Sequence, residues 1–149
     1  MDNSLTLSAG AMNLSPPIYT KLVAAARQAA SHAYCPYSHF AVGAAVLTGR
    51  GEIFSGCNVE NASYGLTICA ERNAIFQAVA QGGGPLVIQA IVVFTPTSDP
   101  TAPCGACRQV INEFGPEAEV ISVCDGPAVL ENRLSEILPV AFGPSNLAR

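Results

Sequence analysis

The apolar positions of the chain alternate between two periodicities. Ile18, Leu22, Ala25, Ala26, Ala29 and Ala33 recur at helical spacing, which puts them on one face of a helix. Ser15 followed by Pro16 marks its start, because the hydroxyl can cap and a first-turn proline gives up only an N–H that has no partner there. The helix is predicted to run from Pro16 to about His32, with residues 1–14 as a flexible tail. Phe40 to Leu47 and Glu52 to Cys57 are β-prone runs separated by Thr48-Gly49-Arg50-Gly51, the pattern of an antiparallel hairpin.

Beyond a polar loop through Asn61, an alanine-rich segment from about Cys69 to Gln81 has the composition of a helix, and Gly82-Gly83-Gly84 before Pro85 ends it. Leu86 to Thr95 is almost continuously apolar, as in a strand buried on both faces. A second helix is predicted from near Pro103 to about Phe114, then a strand over Val120 to Cys124, completing a strand–helix–strand unit. Asp125-Gly126-Pro127 is a turn, Ala128 to Leu130 a fifth strand, and Ser135 to Leu138 a short helix.

Composition adds limits. At 149 residues the chain fits one compact domain, here 15–149. Only 12% of residues are charged while 50% are apolar, a sparse surface that suggests cover by other subunits. The formal net charge of −4, with no run of Lys or Arg, gives no attraction to phosphate backbones, so nucleic acid is not an expected partner. No apolar stretch approaches the roughly 18 residues needed to cross a bilayer. Met1 to Ser15 has no basic start and no continuous apolar segment, so the expectation is a soluble, cytoplasmic protein without membrane partners. In that compartment the six cysteines are reduced thiols and not three disulfides.

Three of those thiols are placed for chemistry. Pro103-Cys104-Gly105-Ala106-Cys107 sets two sulfurs on one side of a helix start, a spacing that suits a tetrahedral ion or a redox pair. Cys69-Ala70-Glu71 supplies a third sulfur and a carboxylate at another helix start. Helix N-termini favour thiolates, and three protein ligands leave a fourth position for water, as in a catalytic zinc site. A closed structural site would need a fourth ligand, which Cys57 or Cys124 could supply.

These two motifs together resemble the signature of the cytidine deaminase superfamily. Gly56-Cys57-Asn58-Val59-Glu60-Asn61-Ala62-Ser63-Tyr64, Cys35-Pro36-Tyr37-Ser38-His39-Phe40 and Leu138-Pro139-Val140-Ala141-Phe142 extend the similarity to the nucleoside-acting branch, over about residues 17 to 143. The use of Cys69 and the chain length resemble the short-chain homotetrameric class. The resemblance implies a three-layer α/β/α fold around a mixed sheet of about five strands. It also implies one zinc ion per subunit on Cys69, Cys104 and Cys107, and Glu71 as the proton-moving catalytic residue. The implied reaction is hydrolytic deamination of cytidine, and of deoxycytidine, in pyrimidine salvage.

By the same resemblance Asn58 and Glu60 bind the ribose hydroxyls and Phe40 packs on the pyrimidine. Tyr64 and Phe142 reach the site from neighbouring subunits. Arg72 hydrogen-bonds ligand sulfurs and offsets the negative charge of three thiolates on a divalent ion. Cys35, Cys57 and Cys124 lie outside the ligand motifs and are expected to act as small hydrophobes.

Overall fold

A computed structural model of the protein describes residues 13–148. Helix α1 spans Pro16–Ala30. Ser15 occupies the N-cap with extended backbone, but its hydroxyl makes no capping bond; its carbonyl accepts from the Tyr19 N–H at 3.0 Å and Pro16 takes the first helical position. The helix stops two residues short of the expected end. From Ser31 to Ala33 the N–H groups bond carbonyls three residues back, to Gln28, Ala29 and Ala30, so the chain continues as tighter turns. The predicted tail through residue 12 lies outside the described residues, while the Asn13 N–H donates to Glu119 Oε1 at 2.8 Å.

Strands β1 (Gly43–Thr48) and β2 (Ile53–Cys57) form the expected antiparallel hairpin, with Gly43 opposite Cys57 and Leu47 opposite Ile53. The first strand begins at Gly43 and not at Phe40, because an Asn58 side chain holds the preceding residues in place of a ladder. Its Oδ1 accepts from the Val42 N–H at 2.8 Å and its Nδ2 donates to the Phe40 carbonyl at 2.8 Å.

Helix α2 (Ala70–Gly82) ends on left-handed Gly83, strand β3 is Ile88–Phe94, and helix α3 is Gly105–Phe114. Strand β4 (Glu119–Val123) lies parallel to β3, and α3 forms the crossover that joins them. Strand β5 is Leu130–Arg133 and helix α4 is Leu134–Ile137. The expected fifth strand at 128–130 was therefore placed too early, and the short helix one residue late. Leu130-Glu131-Asn132-Arg133 carries no apolar alternation; pairing with β4, from Ser122 opposite Leu130 to Glu119 opposite Arg133, makes it a strand.

The sheet order is β2-β1-β3-β4-β5, a mixed five-stranded sheet between two helical layers. Leu22 and Ala26 of α1 pack on Ala45, Leu47, Val92, Ile121 and Val123. On the opposite face Ala70, Ala74 and Ile75 of α2 and Ile111 of α3 pack on Ala44, Val46, Ile91, Val93 and Val120. Strand side chains thus alternate between the layers with period two, and each fully buried Leu, Ile or Val contributes about 1.5–3 kcal/mol. Two glycines let helices sit close to the hairpin. A Cβ on Gly43 would lie 1.9 Å from the Ala26 carbonyl oxygen, and one on Gly56 would lie 2.4 Å from the Ala74 backbone nitrogen.

Candidate metal centre and its cavity

Cys69 is the N-cap residue of α2 and Cys104 the N-cap residue of α3, both with extended backbone, while Cys107 lies in the first turn of α3. Because α2 and α3 cover the same face of the sheet, their N-termini meet beside the carboxyl end of β3. The sulfurs of Cys69, Cys104 and Cys107 all lie within 4.8 Å of one another, and those of Cys69 and Cys104 are 3.9 Å apart. Neither helix has a side-chain cap, so the partial positive charge of both first turns is directed at the sulfurs.

The Arg72 guanidinium stands at the same place, with Nη2 donating to Cys69 Sγ at 3.3 Å. The Cys69 thiol is held down to about 5 by its hydrogen bond with Cys107 and by Arg72. The same bond, together with burial, pushes Cys107 up. Arg72 is raised in turn by its bond to Cys69 and stays charged.

Glu71 is 4% exposed, and burial pushes its carboxyl up, with its own backbone N–H opposing the shift and the Cys69 charge adding to it. Among the described residues no fourth Cys, His, Asp or Glu joins the three thiols. Cys124, the suggested fourth ligand of a closed site, instead has its Sγ 3.5 Å from the Ser98 and Ala128 carbonyl oxygens. Cys57, at the end of β2, is likewise outside the cluster. The donor set fits a zinc ion: three soft sulfurs converge, and two helix N-termini and one guanidinium offset their charge.

A cavity of about 410 Å³ opens beside the cluster, lined by Phe40, Asn58, Glu60, Glu71, Thr95 and Cys104 among others. It thus brings together four of the residues singled out in the sequence, along with two of the thiols, Cys69 and Cys104. Asn58 is buried, and its amide already braces the backbone of Phe40 and Val42, leaving one N–H and one lone pair. Glu60 accepts from the Ser38 hydroxyl and from the Tyr37 N–H at 2.9 Å and the Ser38 N–H at 3.2 Å. The Ser38 hydroxyl, more than those N–H groups, holds its carboxyl below the usual range.

Tyr64 and Phe142 do not line this cavity. Tyr64 is 75% exposed and its ring lies 5.8 Å from that of Tyr37. Phe142 is 59% exposed, and its carbonyl accepts from Gln109 Nε2 at 2.8 Å and Asn112 Nδ2 at 3.2 Å, which holds it beside α3.

Several residues of the site carried no signal in the sequence. Ser38 supports Glu60, and Asn73 Nδ2 donates to the Cys57 carbonyl at 2.8 Å, tying α2 to β2. Arg108 bridges the metal loop to α4, with Nε on the Pro103 carbonyl at 2.8 Å and Nη1 on the Ile137 carbonyl at 2.9 Å. For Arg108 the one pointer in the sequence is its position directly after Cys107.

Three thiols at helix N-termini, a buried carboxyl beside them and an adjoining cavity define a hydrolytic zinc site, not a closed structural one. The family model of the cytidine and deoxycytidylate deaminase zinc-binding region matches residues 17–123, and the chain belongs to this family. It is 48% identical over 124 residues to a cytidine deaminase of Mycobacterium tuberculosis, covering 83% of this chain and 89% of that one. A cytidine deaminase of Sporosarcina psychrophila is 43% identical over 130 residues, 86% of this chain and 93% of the relative. The crystal structure of cytidine deaminase from Burkholderia pseudomallei superimposes with a TM-score of 0.78 at 50% identity, covering 83% of this chain and 98% of that one.

Proposed function

We propose that this protein hydrolyses cytidine and deoxycytidine to uridine and deoxyuridine, consuming water and releasing ammonia. The observation that carries this reading is the buried Glu71 carboxyl beside the Cys69, Cys104 and Cys107 sulfurs, with Glu71, Cys69 and Cys104 lining a nucleoside-sized cavity. Those three residues hold one zinc ion per subunit, which when bound supplies the Lewis acidity that makes water a nucleophile near neutral pH.

Glu71 does the proton work. It takes a proton from the attacking water, delivers it to N3 of the cytosine ring, and moves a second to the exocyclic nitrogen so that ammonia can leave. Burial, which raises its proton affinity, suits a carboxyl that must act as both base and acid. Backbone N–H groups at the start of α2, near Ala70, hold O2 and orient the ring.

Phe40 packs on the pyrimidine, and Asn58 and Glu60 take the ribose hydroxyls. Glu60 is suited to this as a carboxylate already ordered by Ser38 and Tyr37. Tyr64 and Phe142 complete neighbouring sites in a homotetramer, a reading supported by their exposure and by the exposed apolar side chains of Val140 and Leu147. No described helix is long and apolar enough to cross a membrane. The net charge of −4 argues against nucleic acid as substrate, and we place the reaction in cytoplasmic pyrimidine salvage.

The test is the ultraviolet change as purified protein meets cytidine, with and without a metal chelator. Chelator-sensitive loss of the cytosine spectrum with stoichiometric ammonia is expected. Full turnover by metal-free protein would overturn the zinc assignment, and no turnover by zinc-loaded protein would overturn the substrate.

A further inference from the structure

Thr95 follows the last residue of β3, is 1% exposed and lines the same cavity as Glu71 and Cys104. Strand alternation puts it on the side of Val93, which packs in the layer of α2 and α3. Its segment is fixed by backbone bonds, from the Thr95 N–H to the Val123 carbonyl at 3.2 Å and from the Asp125 N–H to the Thr97 carbonyl at 3.0 Å.

The hydroxyls here form a chain whose direction can be deduced. Thr97 Oγ1 lies 2.7 Å from the Asp99 carbonyl oxygen. A carbonyl can only accept, so the single hydroxyl hydrogen of Thr97 is committed there. Thr95 Oγ1 lies 2.7 Å from Thr97 Oγ1. Since Thr97 has no hydrogen left to give, Thr95 donates and Thr97 accepts. The hydroxyl hydrogen of Thr95 is thus used within the protein, and toward the cavity its oxygen can act only as an acceptor.

A cytosine ring attached to a sugar has one N–H donor, its 4-amino group; O2 and N3 are acceptors. In uracil the same ring position carries an oxygen, which an acceptor would repel. We infer that Thr95 Oγ1 accepts a hydrogen bond from the exocyclic amino group and so distinguishes the amino substrate from the oxo product at that position. Thr97 acts through Thr95, as a positioning residue that keeps the hydroxyl turned away from the cavity. The inference rests on the cytidine reading given above.

The experiment measures cytidine and uridine binding by calorimetry to zinc-loaded protein carrying Glu71→Gln, which stops turnover. Adding Thr95→Val is expected to weaken cytidine about tenfold, the scale of one hydrogen bond, and, because the repulsion of the uracil oxygen goes with it, to leave uridine binding no weaker than before. Thr95→Ser should restore cytidine binding. Thr97→Val frees the Thr95 hydroxyl hydrogen to turn toward the ligand and should move the ratio about tenfold in favour of uridine. Each ratio is read on one preparation, so a partly unfolded fraction cancels; should Thr95→Val not fold, Thr97→Val decides. A ratio left unchanged by Thr95→Val or by Thr97→Val overturns the inference. Cytidine turnover by the unsubstituted protein, measured in parallel, separates the cases: its absence sinks the cytidine reading, its presence with unchanged ratios sinks the role of Thr95 alone.

Discussion

The Arg72 guanidinium lies 3.3 Å from Cys69 Sγ, within the first turn of the helix that Cys69 caps. A metal held by three thiolates carries excess negative charge, and this contact brings a positive side-chain charge to offset it. Replacing Arg72 with Gln should lower zinc affinity about 10- to 100-fold, the usual cost of losing a partner behind a metal ligand. Competition with a chromogenic chelator measures it, and affinity equal to that of the unsubstituted protein would show the contact to be inert.

Glu71 and Cys104 should separate chemistry from metal binding. Glu71→Gln keeps the size and burial of the side chain, so the protein should retain zinc while kcat falls at least about 100-fold. Cys104→Ala should lose metal and activity together and melt at a lower temperature. Metal analysis alongside turnover distinguishes the two patterns, and near-normal activity of Glu71→Gln would remove that residue from the reaction.

The Ser38 hydroxyl, ahead of the Tyr37 and Ser38 N–H groups, holds Glu60 below the usual carboxylate range. A depressed value means that the charged form persists as pH falls through that range and is lost only below it. Cytidine KM should therefore stay flat through the ordinary carboxylate window and rise beneath it. Ser38→Ala removes the largest cause, so the rise should begin at higher pH. Superimposable KM profiles for the two proteins would exclude Glu60 from sugar binding or Ser38 from its support.

At Gly56 the backbone of α2 comes so near that a Cβ would be 2.4 Å from the Ala74 nitrogen. Gly56→Ala should cost about 1–3 kcal/mol as overpacking, lowering Tm by several degrees at about 2–4 °C per kcal/mol. The helix that must shift carries Cys69 and Glu71, so metal affinity should fall with it. Calorimetry showing an unchanged melting temperature would contradict the close approach.

Much of the fold was legible because the strands that build the core alternate cleanly or are wholly apolar, as in Ile88–Phe94. Both cysteine motifs were legible for a related reason, since each falls at a helix start. The polar edge strand Leu130–Arg133 was not, because its pairing with β4 and not its own pattern makes it a strand. The same holds for Ser38, Asn73 and Thr95. A lone hydroxyl or amide, in a loop or on a helix as with Asn73, adds nothing to a periodic pattern, and its role exists only through a partner distant in the chain, such as Glu60 or the Cys57 carbonyl. Asn58 was expected to face a sugar, and its amide is also the brace that delays the first strand.

Arg108 joins the Pro103 carbonyl to the Ile137 carbonyl, which makes the far end of the chain a buttress for a centre to which it gives no donor atom. Shortening the protein before Ile137 would leave all three sulfurs in place and still loosen the loop that presents one of them, so the damage would surface as faster escape of the ion.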